Sequence, residues 1–478
     1  MRNAGPIEQY FNVYTRTGLC SWVVLAARYE SSLGALSCLT DKPTLFAALE
    51  KVVRCHAALH ARLPPPGESP RWTRLSSVDL NEVVHFIQKD HSDLQEIIEG
   101  CFDHYMDISE DKPRWRLLVL RDGTLVFLWD HSIGDGQSGL AFHRALLDAL
   151  NSVPELPASH SGVITPLPSD LALPTSLEDA AGRQISVPIP MLVRVLAEEY
   201  LPFLFARKNA ATWTGNPVPL EPSLHTQVRI LHYSPSDTYT LLRAARARRA
   251  TLTGTLHTLA LVVLSRLIRA LLNGEELKFK AIATFIPISM RRHTGTHATE
   301  ICVQVTHYEG HQAMLLPDTG DFPWDVAAEF TGTLQRAIVC AGPVTGMLKY
   351  LFGRYEEYLE GHLGKKRGWG LELSNLGPFP GSPSSGTTDL EKSEDGAGDS
   401  TEVLAARWKI KEMTFAQAEV LGSALKLNVV GSPEGGLGMT VSWGTSAVDK
   451  ELAEAFVVGL HDGLRALIIA ASDLETRD

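Results

Sequence analysis

Apolar positions in the first third of the chain fall into short continuous runs and helical stripes. WVVLAARY (22–29) is strand-like, an apolar run that meets Arg28. Residues 43–66 repeat apolar positions at helical spacing, with Pro43 at the start and a proline run that stops the helix. WRLLVLRDGTLVFLWDH (115–131) is two apolar runs joined by Asp122-Gly123, the signal of a β-hairpin. An amphipathic helix follows over 137–150. Residues 152–224 are proline-rich and irregular apart from a helical patch at 191–200. Beyond them come a strand (226–233), a helix from about Ser236, a second to Leu272, and a strand over 279–292. Helices near 324–339 and 344–360 precede GWGLELSNLG (368–377). The Pro/Ser/Gly/acid-rich stretch 378–402 predicts a mobile surface loop. Three strand-like runs and a helix from about Asp449 finish the chain. The pattern divides it into a first lobe (1–151), a crossover (152–224) and a second lobe (225–478).

The two halves share a unit. Shifting 129–150 onto 443–464 aligns Trp129 with Trp443, Asp135 with Asp449, Phe142 with Phe456 and Leu146 with Leu460, among eight ungapped identities in 22 positions. Chance would give about one or two at ordinary residue usage. Each half therefore closes with the same strand, turn and helix, which predicts two related α/β lobes. Where the first copy has His131 the second has Thr445, so the turn itself does not require an imidazole.

Composition narrows the function. Against 44 Lys and Arg stand 55 Asp and Glu, a net charge of −11, which argues against a nucleic-acid partner. Six scattered cysteines (20, 38, 55, 101, 302, 340), none in C-x-x-C spacing, suit a reducing compartment and predict no metal or redox motif. The N-terminal residues lack the order of a signal peptide, and 254–272, though apolar, is interrupted by Arg266 and Arg269. The expectation is a cytoplasmic monomer with no transmembrane segment. His293, His297 and Glu300 lie in a Gly/Thr-rich stretch unsuited to a metal-binding helix, and His56 and His60 read as surface or lobe-packing residues. No phosphate-binding or dinucleotide-binding glycine motif occurs.

The chemistry concentrates at 126–139, VFLWDHSIGDGQSG, where a buried strand ends on His131 and turns through Gly134 and Gly136 into a helix. The glycines permit a tight turn. Asp135, at the helix start, has a sufficient structural role as a cap to backbone N–H groups, and Ser138 is a second candidate cap. An imidazole, by contrast, can take and return a proton near neutral pH.

H-x-x-x-D-G at 131–136 resembles the signature of the chloramphenicol acetyltransferase-like superfamily, which includes alcohol acyltransferases and peptide-synthetase condensation domains. PRWRLLVL (113–120) is similar to an element of fungal and yeast alcohol acetyltransferases, with Val119 in place of a cysteine. PISMRR (287–292), SNLGPF (374–379) and LKLNVV…GMTVSW (425–443) extend the likeness over nearly the whole chain. Asp130 stands where condensation domains have a second histidine, and the D-F-G-W-G element of the plant enzymes is missing. The resemblance implies two lobes of mixed sheet flanked by helices, with an active-site tunnel at their interface. It implies that His131 is the general base of an acyl-CoA-dependent O-acyltransferase acting on a small alcohol. It also implies that Asp135 points away from substrate to pair with Arg291, with Arg292 as rival. No permanent cofactor is implied, since acyl-CoA is a co-substrate. Ser374 and Asn375, and less directly Thr445, are candidate oxyanion donors. Ser374-Asn375 also reads simply as a turn before Gly377. Arg246 and Arg249, with Arg243 and Arg248, or Lys365 and Lys366, with Arg367, are the basic clusters available to coenzyme A phosphates. Two further readings stay open: acyl transfer, condensation or cyclisation with a carrier protein as donor, and another reaction or a binding role on the same scaffold.

Overall fold

The computed structural model describes residues 2–475 apart from 32–38, 40, 65–69, 105, 107–111, 153–158, 272–277, 317–320, 341 and 381–407. The expected loop at 378–402 lies outside the described residues from 381 onward. The main strands, in chain order, are β1 (Cys20–Ser31), β2 (Val84–Ile87), β3 (Trp115–Leu120), β4 (Thr124–Trp129), β5 (Thr212–Trp213), β6 (Thr226–Tyr233), β7 (Ala281–Ser289), β8 (Val305–Ala313), β9 (Leu371–Asn375), β10 (Trp408–Glu419), β11 (Leu425–Gly431) and β12 (Leu437–Gly444). The helices that frame them are α1 (Pro6–Arg16), α2 (Lys42–Cys55), α3 (Leu94–Phe102), α4 (Gly136–Asn151), α5 (Pro235–Ala247), α6 (Leu252–Leu271), α7 (Trp324–Cys340) and α8 (Lys450–Glu475).

Two mixed sheets result. The first has the order β10-β1-β4-β3-β2, and the second β6-β12-β11-β9-β7-β8 with β5 beside β7. β4 is the central strand of the first sheet and is buried at every position. Alternate side chains of a strand face opposite ways. Leu125, Phe127 and Trp129 therefore meet Leu140, Phe142 and Leu146 of α4, while Val126 and Leu128 meet Leu94, Ile98 and Phe102 of α3. In the second lobe Trp443 of β12 and Phe456 and Leu460 of α8 fill the equivalent places around Leu427 and Val441. The identities between the halves are the residues that lock a helix onto the end of its strand.

The division of the chain by sequence is corrected at β10. Placed with the second lobe by position, it pairs antiparallel with β1, Val24 opposite Ala416 and Tyr29 opposite Ile410, and becomes the edge of the first sheet. Its Ile410, Met413 and Phe415 join the first core. Thr440 and Ser442 of β12 donate their hydroxyls to the carbonyls of Phe415 and Gln417, at 2.7 and 3.1 Å. β10 thus satisfies the open edge of β1 and ties the lobes together. The helix expected at 344–360 is broken into Gly342–Gly346, a 3₁₀ turn Met347–Leu351 and Tyr355–Glu360, because Phe352 and Gly353 take positive φ of 51° and 82°. Of the two readings of His60, surface or packing, burial leaves packing: it is fully buried. α6 and α8 are long and apolar enough to cross a membrane by length and composition, and most of α6 is buried in the second core.

Candidate active site

The turn after β4 is held by a lattice of short contacts. Asp130 is buried, accepts the Ser132 N–H at 2.6 Å and faces Arg114 at 3.4 Å. Arg114 donates to Ser132 Oγ at 3.1 Å and Asn12 Oδ1 at 2.7 Å. Trp129 donates its indole N–H to the Gly134 carbonyl at 2.9 Å. Gly136 needs its missing side chain: a Cβ there would stand 2.5 Å from Leu376 Cδ2, across the seam from β9.

Asp135 caps α4. Its Oδ1 accepts from the N–H and hydroxyl of Ser138, both at 3.2 Å. Its Oδ2 accepts from Arg291 at 2.6 Å and the Gln304 N–H at 2.9 Å. Arg291 also donates to the carbonyls of Glu300 (3.2 Å) and Cys302 (3.3 Å). Arg291 is buried while Arg292 is exposed, so of the two neighbours only the first reaches the carboxylate. Burial works against the Arg291 charge, but the adjoining Asp135 holds its pKa above the ordinary value.

His131 sits at the start of this turn with its ring stacked on Phe11 of α1, centroids 3.8 Å apart and planes within 7°. Nδ1 is buried and has no hydrogen-bond partner among the described residues. Burial pushes the imidazole below its ordinary pKa; its own backbone and the carboxylates of Asp135, Glu419 and Asp130 oppose that shift without reversing it.

The other candidates divide. The turn Asn375–Gly377 reaches the motif from the second lobe, since Gln137 of α4 donates to the Leu376 carbonyl at 2.8 Å. Asn375 is committed on both amide atoms, donating to Thr253 Oγ1 at 3.1 Å and accepting the Gly377 N–H at 2.8 Å. Ser374 is buried one residue earlier. Thr445 is exposed, and its N–H donates to the His225 carbonyl at 2.9 Å. Arg246, in the last turn of α5, and Arg249, just beyond it, are exposed, Arg249 four residues before Thr253. The Lys366 ammonium is occupied by the carbonyls of Asn209 and Thr212, and Arg367 is buried against those of Val420 and Gly422, so that cluster is partly structural. Lys365 is exposed. His293, His297 and Glu300 do not assemble. Among the described residues the group whose donor atoms lie within 4.8 Å of one another is His91, His232 and Glu412, from three segments.

Sequence reasoning missed α1 and a buried charge network. Glu419 at the end of β10 pairs with Lys426 and hydrogen-bonds Tyr14 of α1, and Lys426 also meets Glu372 at 2.8 Å. Gln417 donates to Glu372 at 2.6 Å. Lys426 is charged despite burial because two carboxylates face it. No local signal marks these residues. They come from four segments, and Glu372 and Lys426 alternate with leucines in LELS and LKLN as in any half-exposed strand.

A model of the alcohol acetyltransferase family matches residues 3–390. A probable alcohol acetyltransferase, crmB, of Aspergillus fumigatus is 24% identical, covering 93% of this chain and 95% of its own. A second, FCK4 of Fusarium pseudograminearum, is 22% identical over 84% and 80%. Among solved structures, the trichothecene 15-O-acetyltransferase TRI3 of Fusarium sporotrichioides superposes with a TM-score of 0.63 at 13% identity, covering 98% of this chain and 94% of its own. The epimerization domain of the third module of tyrocidine synthetase B does so at 0.57 and 15%, covering 98% and 97%. Two lobes of mixed sheet flanked by helices, one closing on H-x-x-x-D-G, thus meet a family match over most of their length: the chain is an acyltransferase and belongs to the alcohol acetyltransferase family.

Proposed function

We propose that this O-acyltransferase takes its acyl group from acyl-CoA and places it on the hydroxyl of a small natural product, with His131 as general base. One observation carries the reading: an imidazole at the end of the central strand of one lobe, stacked on Phe11, its turn clamped by Asp135 and Arg291 and abutted by the second lobe.

With Nδ1 enclosed, Nε2 is the ring nitrogen for the acceptor hydroxyl. It takes the proton as the alcohol oxygen attacks the thioester carbonyl, and returns it to the leaving thiolate as the tetrahedral intermediate collapses. Such proton transfer contributes about 10²–10⁴-fold. The imidazolium formed on the way is favoured by the carboxylates of Asp135, Glu419 and Asp130, the groups that already raise the ring's proton affinity. Ser374 is the better oxyanion donor, because the Asn375 amide is already bonded. Asp135, bonded to Arg291, holds the turn and takes no proton. Asp130, paired with Arg114, is not a second base, which favours ester formation over condensation. Arg246 and Arg249 suit the coenzyme phosphates better than Lys366 does: they are exposed near the N-terminus of α6, where helix dipole and cations act together.

The test is incubation with acetyl-CoA and longer acyl-CoAs plus a panel of alcohols, following free thiol and ester mass. The reading requires turnover that His131→Ala cuts about 10²–10⁴-fold while circular dichroism is unchanged. Turnover only with an acyl-loaded carrier protein would transfer the assignment to that donor.

A further inference from the structure

We infer that residues 189–208 form a docking surface for an anionic lipid bilayer. The helix Ile189–Tyr200 is turned outward. Ile189, Val193, Leu196 and Tyr200 are 76, 59, 47 and 76% exposed. Steps of four, three and four residues put all four within about 60° of one another around the helix. The polar Arg194 and Glu198 lie away from this stripe and bond each other at 2.9 Å. Met191, Leu192 and Ala197 are half-buried. The apolar surface continues past the helix through Leu201, Phe203 and Leu204, at 43, 70 and 61% exposure. With Val195, at 37% exposure, eight large apolar side chains in 16 residues lie open to water, which isolated surface leucines do not explain.

Charge selects the partner. In a chain of net charge −11, a run of cations gathers beside this patch. Arg207 and Lys208 follow it directly and are exposed. Lys208 and Arg194 both act on His311. Lys366 bonds the carbonyls of Asn209 and Thr212 and lies within electrostatic reach of Lys278. Lys280 joins the same segment through its N–H to the Ala211 carbonyl at 2.7 Å. An apolar stripe rimmed by cations suits the interface of a bilayer carrying acidic lipids. A 12-residue helix is about 18 Å long, too short to span the roughly 30 Å hydrocarbon core, so it would lie in the interface.

The test is co-flotation of the full chain with vesicles of phosphatidylcholine alone and of phosphatidylcholine with phosphatidylserine. Binding is expected to the acidic vesicles and to fall with added salt. Val193→Glu/Phe203→Glu, both at exposed sites, should abolish it. Arg207→Glu/Lys208→Glu should weaken it at least about 25-fold, from about fivefold per cation, and reduce its dependence on phosphatidylserine. Transfer activity toward water-soluble substrates should be unchanged in both variants. The inference is overturned if the chain floats with neither vesicle, if Val193→Glu/Phe203→Glu binds as the parent does, or if that variant instead converts a dimer to a monomer by light scattering, which would assign the face to a second copy.

Discussion

Replacing Asp135 with alanine tests whether the motif aspartate joins the lobes or takes part in the reaction. Its carboxylate is 4% exposed and accepts four hydrogen bonds, from Arg291, the Gln304 N–H, and the N–H and hydroxyl of Ser138. Arg291, itself 6% exposed, would remain buried and charged with only the Glu300 and Cys302 carbonyls and Ser138 beside it. Orphaning a buried ion costs about 3–5 kcal/mol, and loss of an N-cap about 1 kcal/mol more. Against a net stability of about 5–15 kcal/mol that is a large share, read as a fall in the urea midpoint by tryptophan fluorescence. The double variant Asp135→Ala/Arg291→Met removes the stranded charge as well. It should be less destabilised than the sum of the singles by about 2 kcal/mol or more. Both variants should also lose turnover, because the His131 turn loses its tether to the second lobe. The reasoning fails if Asp135→Ala costs under about 1 kcal/mol, or if the two substitutions add.

His131→Ala should cut kcat about 10²–10⁴-fold without moving the urea midpoint downward by more than a surface change would; near-normal kcat removes the base assignment. Because burial lowers the His131 pKa, the acid limb of kcat/KM should lie below about 6.5, with activity lost as pH falls through it. Phe11→Ala admits water to the ring and should shift that limb upward, whereas an unmoved profile would mean that Phe11 does not shield the base. Gly136→Ala drives a methyl into Leu376 and should cost about 1–3 kcal/mol, recovered at least in part by Leu376→Ala; no rescue would place the strain elsewhere. His60 and His143 are buried with pKa values of about 4, and His257 with about 3. Unfolded imidazoles bind protons below about 6.5 and these do not, so stability held above that pH should be lost as pH falls toward 4. His257→Leu, which replaces a ring with two unbonded nitrogens, should flatten that loss; an identical midpoint-versus-pH curve would show that His257 takes no part in it.

Local pattern determined a good deal of this protein. The apolar runs at 22–29 and 115–129, the helix after Gly136 and the repeated Trp, Asp and Phe of the two halves each report a short-range demand: a strand to bury, a turn to tighten, a helix to pin. The His131 turn was legible for the same reason, since its glycines, cap and imidazole lie within six residues of chain. What the tertiary structure decided are relations between segments that no periodicity encodes. A strand's alternation states that one face is buried but not in which sheet, so β10 could be placed beside β1 only by the open edge it fills. Arg291 rather than Arg292 meets Asp135 because of the way β7 ends against the α4 N-terminus. Phe11 and Tyr14 read as one face of an ordinary amphipathic helix, and only the folded chain lays them over His131 and Glu419. Lys426 and Glu372 read as the solvent face of alternating strands, and only the folded chain buries each against the other, because a charge withdrawn from water persists only where an opposite charge is withdrawn with it.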